Sequence, residues 1–133
     1  MELRSVAALI EASRKMPIWE AILCSDLEED TPEQRAASLE KMQMLWQVMQ
    51  DSAGYDGSQR SLSGLSGGDG EKYTQMLSSG KMMCGTYLND AIATALKVSE
   101  CNACMKRIVA APTAGSCGVI PAVLIPYRKE YTD

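Results

Sequence analysis

The chain has 133 residues, 46% hydrophobic and 23% charged, with a formal net charge of −4. This balance suits one globular domain, or part of one, and excludes a disordered segment. No basic patch supports a nucleic-acid partner, and no apolar run approaches the roughly 18 residues of a membrane span. Histidine is absent, which removes Ser-His and Cys-His nucleophile pairs and the commonest zinc ligand. Any general base on the chain is therefore carboxylate, lysine, tyrosine or thiolate. Five cysteines and nine methionines, with no secretion signal ahead of them, point to a reducing cytoplasm. The odd cysteine count leaves at least one thiol unpaired within the chain.

From the start of the chain, Leu3, Val6, Ala7 and Ile10 share one face of a helix expected over residues 3–15. Pro17 suits the first position of a second helix, running to about Leu27. Glu28, Glu29 and Asp30 read as a solvated acidic turn. Thr31-Pro32-Glu33-Gln34 is a strong helix start: Thr31 can cap, Pro32 fits the first turn and Gln34 completes a capping box. The helix that follows is expected to reach about Ala53, with Leu39, Met42, Leu45, Trp46, Met49 and Ala53 as its apolar stripe.

Residues 54–70 form the longest loop, rich in Gly and Ser, within which Leu62 and Leu65 predict packing against the body of the protein. A loop of this length in a compact domain is functional or disordered. It ends in Ser66-Gly67-Gly68-Asp69, where Asp69 is either the cap of a short helix or a contact for a ligand's ammonium group. The Gly-Lys-Ser/Thr ending of a P-loop is absent. Gly80 closes that short helix. Thr86 is placed as the cap of the next helix, whose buried face is expected to hold Leu88, Ala91, Ile92, Ala95 and Leu96. On that helix Cys101 and Cys104 form a lone C-x-x-C, read as two small buried thiols, because a zinc or redox site calls for a second pair or a helix N-terminus. No alternating strand pattern appears, so the fold class is all-α, with five to seven helices and one long Gly/Ser-rich loop.

The densest cluster of turn-forming and hydroxyl residues is Ala111-Pro112-Thr113-Ala114-Gly115-Ser116-Cys117-Gly118, followed by a mostly apolar helix from Val119 to Tyr127. Pro112 drives Ala111 out of helical geometry. Thr113 and Ser116 supply hydroxyls, and a small-residue turn at a helix start presents free backbone N–H groups to an anion. The alternative is an ordinary cap between two buried helices.

Ala-Pro-Thr-Ala-Gly-Ser-Cys-Gly-Val-Ile-Pro-Ala-Val-Leu, from Ala111, resembles the signature of the iron–sulfur-dependent L-serine dehydratases, in their alpha subunit or catalytic domain. The preceding helix of that family carries an Asn-Ala pair close to a Glu, here Glu100, Asn102 and Ala103. Gly64-Leu65-Ser66-Gly67-Gly68-Asp69 resembles its glycine loop, and the opening helices match its two-subunit form from Val6 onward. The resemblance implies a lyase that converts L-serine to pyruvate and ammonia. It further implies a 4Fe–4S cluster as Lewis acid and no pyridoxal phosphate. It implies a substrate-binding set of Gly67, Gly68, Asp69, Asn102, Thr113, Ala114, Gly115, Ser116 and Gly118. The base stays open among Lys72, Lys81, Glu100 and groups outside the chain.

The family's cluster-ligating cysteines lie beyond Asp133, and none of Cys24, Cys84, Cys101, Cys104 or Cys117 stands where a ligand is expected. Residues 1–133 are accordingly expected to be the N-terminal part of the catalytic domain, inactive alone. L-serine, a beta subunit or domain and a second copy of the chain are the expected partners. Without its covering helices, the apolar segment from Val119 to Ile125 is expected to leave a hydrophobic patch that favours association. A helical assembly module without catalysis and a small cysteine-based metal or redox protein are the competing readings.

Overall fold

A computed structural model describes residues 3–57, 59–80, 82 and 84–132. Among these residues the secondary structure is six α-helices and one 3-10 turn, with no strand, as the all-α expectation requires. The helices are α1 (Val6–Ser13), α2 (Ile18–Asp26), α3 (Pro32–Ala53), α4 (Asp69–Ser78), α5 (Thr86–Ala103) and α6 (Val119–Tyr131); the 3-10 turn is Ala114–Ser116. The chain divides into two compact units, Met1–Met44 and Leu45–Asp133, and α3 runs through the boundary.

In the first unit α1 packs on α2. Helix α1 is shorter than its hydrophobic pattern suggests, because Ser5 takes the N-cap position and its hydroxyl accepts the Ala8 N–H. That cap starts the helix three residues later than expected, and the chain leaves it after Ser13, two residues before the expected limit, on its way to Pro17. Pro17 is the N-cap of α2 and Ile18 its first helical residue, one position later than expected. At the start of α3 the Thr31 hydroxyl accepts the Gln34 N–H at 3.3 Å. The Gln34 side chain does not close the box on Thr31; it reaches back to the Glu29 N–H at 3.1 Å. Arg35 ties the unit together, pairing with Asp30 and with Glu20 at 3.2 Å. Its guanidinium also donates to the Cys24 sulfur at 3.0 Å.

In the second unit α5 is the central element, contacting α4 along one side and α6 along another. The buried residues of α5 are Asn89, Val98, Glu100 and Cys101. This face is rotated from the expected one: Leu88 is half exposed, and Ala91, Ile92, Ala95 and Leu96 are partly covered rather than buried. The physical reason is the polar group at Asn89. Its side chain donates to the Cys84 and Gly85 carbonyls and accepts from the Tyr73 hydroxyl at 2.8 Å, so it is satisfied in the interior. Gly85, not Thr86, occupies the N-cap position of α5. Gly80 closes α4 as expected, its N–H meeting the Leu77 carbonyl at 3.0 Å.

Helix α5 stops in a Schellman motif. The Lys106 N–H reaches the Cys101 carbonyl and the Met105 N–H the Asn102 carbonyl, both at 3.0 Å. Met105 takes the left-handed position at φ 58°. Close helix contacts rest on two glycines. A Cβ on Gly70 would stand 2.7 Å from Lys97 Cγ and 3.0 Å from the Lys97 nitrogen; one on Gly118 would stand 3.2 Å from the Ala95 carbonyl oxygen. Helix α4 therefore approaches the α5 backbone where a Cβ does not fit, and α6 where one would be tight. The outer side of α6 carries exposed Val119, Val123, Leu124 and Tyr127, the apolar patch anticipated for this segment.

Candidate functional site around the end of helix α5

The last turns of α5 connect the two loops singled out in the sequence. On one side, Glu100 is 6% exposed. Its Oε1 accepts the Asp69 N–H and, at 3.2 Å, the Gly70 N–H. On the other side, two residues further on, Asn102 Nδ2 donates to the Ala114 carbonyl at 3.1 Å. The glycine loop and the hydroxyl bend are thus fastened to neighbouring positions of one helix. Cys104 adds a third tie, donating to the Gln59 carbonyl at 3.1 Å. That carbonyl also accepts from the Tyr55 hydroxyl at 2.8 Å. The hydrogen bond with Cys104 holds the Tyr55 phenol above its ordinary range.

The bend itself is a reciprocal capping box around Thr113 and Ser116. The Thr113 N–H donates to Ser116 Oγ at 3.2 Å, and the two hydroxyls stand 3.1 Å apart. Ser116 Oγ also lies within reach of the Ala111 and Thr113 carbonyls, so its hydroxyl is engaged inside the bend. The bond between Ala111 and Pro112 is cis. Thr113, Ala114 and Gly115 are exposed, and the Ala114 and Gly115 N–H groups meet no acceptor among the described residues. Ser116 is half buried and Cys117 is buried. Gly118 is the N-cap of α6. Residues 113–115 therefore form a bend at the surface, with two N–H groups that meet no acceptor among the described residues.

The glycine loop departs from expectation in two respects. Gly68, at φ 85°, is the N-cap of α4, and Asp69 is its first helical residue. The Asp69 carboxylate is exposed and pairs with Lys72 Nζ at 3.1 Å. It does not cap, because Asp69 already lies inside the helix; the buried Glu100 instead accepts the first two N–H groups of α4. Leu62 and Leu65 are 99% and 89% exposed, contrary to the packing expected of them. The loop is held instead by its own polar contacts, among them the Ser61 N–H to the Ser66 carbonyl at 2.8 Å. Of the candidate bases, Lys72 is exposed and paired, Glu100 is buried at the loop, and Lys81 lies outside the described residues.

Sequence reasoning named Glu100 without its role as cap. The available signal was Gly70, a glycine inside the first turn of a helix, which marks close approach of another backbone. The five cysteines are free, and they do not assemble a metal site. Cys24 is held by Arg35, Cys84 is exposed, and Cys101 donates to the Arg107 carbonyl at 3.7 Å. Among the described residues no three Cys, Asp or Glu side chains converge on one point. Burial pushes the thiols of Cys101 and Cys117 up, the opposite of what a thiolate ligand needs. No helix among the described residues is long and apolar enough to cross a membrane.

The family model described as serine dehydratase alpha chain matches residues 13–132. A probable L-serine dehydratase alpha chain of Bacillus subtilis is 32% identical over 130 residues, covering 96% of this chain and 43% of that protein. An L-serine dehydratase alpha chain of Peptoniphilus asaccharolyticus is 51% identical over 53 residues, 40% of this chain and 18% of that one. The L-serine dehydratase TdcG of Escherichia coli is 63% identical over 35 residues, 26% of this chain and 8% of that one. The chain thus spans less than half the length of these curated relatives. No solved structure matches it. The chain belongs to the serine dehydratase alpha chain family.

Proposed function

We propose that the chain supplies the substrate-binding loops of an L-serine ammonia-lyase, which converts L-serine to pyruvate and ammonia. The observation that carries this proposal is the exposed bend at 113–118, whose Ala114 and Gly115 N–H groups have no acceptor among the described residues. Adjacent N–H groups on exposed residues, beside the Thr113 hydroxyl, suit a carboxylate. In this role Thr113 and the bend amides receive the carboxylate of L-serine. Ser116 holds the shape of the bend, and Gly118 sets how closely α6 approaches α5. Asn102 orients the bend through the Ala114 carbonyl and keeps its amide oxygen for the substrate's polar groups. Gly67 and Gly68 lead the backbone to Asp69, whose exposed carboxylate receives the ammonium.

The 4Fe–4S cluster that the family resemblance implies would supply Lewis acidity at the substrate hydroxyl. The cysteines of this chain do not fit as its ligands, so the cluster is assigned to residues outside it. Pyridoxal phosphate has no part in the proposal. A beta subunit or domain completes the enzyme, and the exposed side of α6 is covered by the rest of the assembly or by a second copy. The site of action is the cytoplasm.

Thr113→Ala in the assembled enzyme tests the assignment. The expected result is a KM for L-serine raised about tenfold, the scale of one hydrogen bond to a charged group, with cluster content unchanged. An unchanged KM contradicts it.

A further inference from the structure

Among the buried polar residues described in the second unit, Glu100 makes the hydrogen bonds that span the longest stretch of chain. Its Oε1 receives two backbone N–H groups from 30 and 31 residues away, while its Oε2 is buried with no hydrogen-bond partner among the described residues. A buried oxygen left unmatched opposes folding, so the contact on the other oxygen must contribute something that an apolar side chain would not. What it contributes is a fixed backbone. The two N–H groups belong to the first turn of α4, immediately after the glycine pair, and are among the groups that a helix start leaves unpaired. A glycine pair has little conformational preference of its own. Gly68 has φ 85° and Gly67 φ 139°, and the N-cap position of α4, being glycine, offers no side chain to cap it. The restraint comes from α5, on which Gly70 also rests too closely for a Cβ.

We propose that Glu100 is a positioning residue. It fixes the backbone of residues 67–69 to the helical end that holds the 113–118 bend through Asn102. The two loops then keep one spacing before any ligand arrives. Preorganisation of this kind removes ordering entropy from the binding step. That the loops bind L-serine rests on the function proposed above; that Glu100 fixes them does not.

Backbone hydrogen exchange on the whole chain, comparing wild type with Glu100→Ala and Glu100→Gln, tests the positioning role. In wild type the Asp69 and Gly70 amides are expected to be protected. Glu100→Ala is expected to speed their exchange about tenfold or more, the loss of hydrogen bonds to a buried group, while Val98 and Ala122 in the α5–α6 core keep their protection. Glu100→Gln retains an acceptor oxygen and is expected to restore most of the protection. Asp69 and Gly70 amides that stay protected in Glu100→Ala overturn the proposal. So does Glu100→Gln that exchanges as fast as Glu100→Ala, and so does a uniform loss of protection across α5 and α6 in both variants. An L-serine titration of wild type, read on the same amides, judges the binding function separately. Absence of any response there contradicts that function and leaves the exchange result to decide the role of Glu100.

Discussion

At Asn89 and Glu100 single polar residues decide which face of α5 turns inwards. Asn89 is 1% exposed and fully engaged, so burying it is compatible with a stable interior. The thiols follow the same physics in the opposite direction. Burial raises Cys101 and Cys117, so the folded chain holds those protons to higher pH than the unfolded chain does. Stability from this source is present below the ordinary thiol range and lost above about pH 8.5. Denaturant titrations at pH 7 and pH 10 should show the midpoint falling at the higher pH. A Cys101→Ala, Cys117→Ala double variant should flatten that slope; an identical slope contradicts the attribution. Asp30 has the opposite sign. The hydrogen bond from Arg35 holds it below the carboxylate range, so the contribution of that pair is lost on acidification.

Helix ends and helix contacts were legible to different degrees. Thr31-Pro32 announced the start of α3 and Gly80 the end of α4, because capping chemistry is local. The end of α5 was not announced. Its left-handed position is filled by Met105 rather than glycine, and the restraint lies in the following chain, which must turn back to bring the bend against Asn102. The capping of α4 was equally hidden, since its acceptor comes from Glu100, 31 residues away. Close packing gives a prediction at this scale. Gly70→Ala forces a Cβ against Lys97 and is expected to destabilise the chain by about 1–3 kcal/mol, lowering the melting temperature by roughly 5 °C or more. Gly115→Ala, whose nearest neighbour would be Thr113 Oγ1 at 3.8 Å, should melt close to wild type. Equal melting temperatures for the two variants would contradict the packing account.

For the whole molecule, the helical class and the two loops could be read from residues alone. Their junction could not. Hydrophobic periodicity assigns faces by apolar content, and it failed at α5 because the interior there is built on Asn89 and Glu100. It failed again at Leu62 and Leu65, whose loop is held by hydroxyl and backbone bonds instead of by its leucines. What brings the candidate site together is the end of α5, where Glu100 meets the glycine loop and Asn102 meets the hydroxyl bend. The most direct test of the central claim, that these loops form a site for the carboxylate and ammonium of L-serine, is a titration of the isotope-labelled chain with L-serine followed by backbone NMR. Saturating shifts centred on residues 113–118, with a second group at 67–69, are the predicted result. Shifts confined to other parts of the chain, or none at millimolar L-serine, would contradict it.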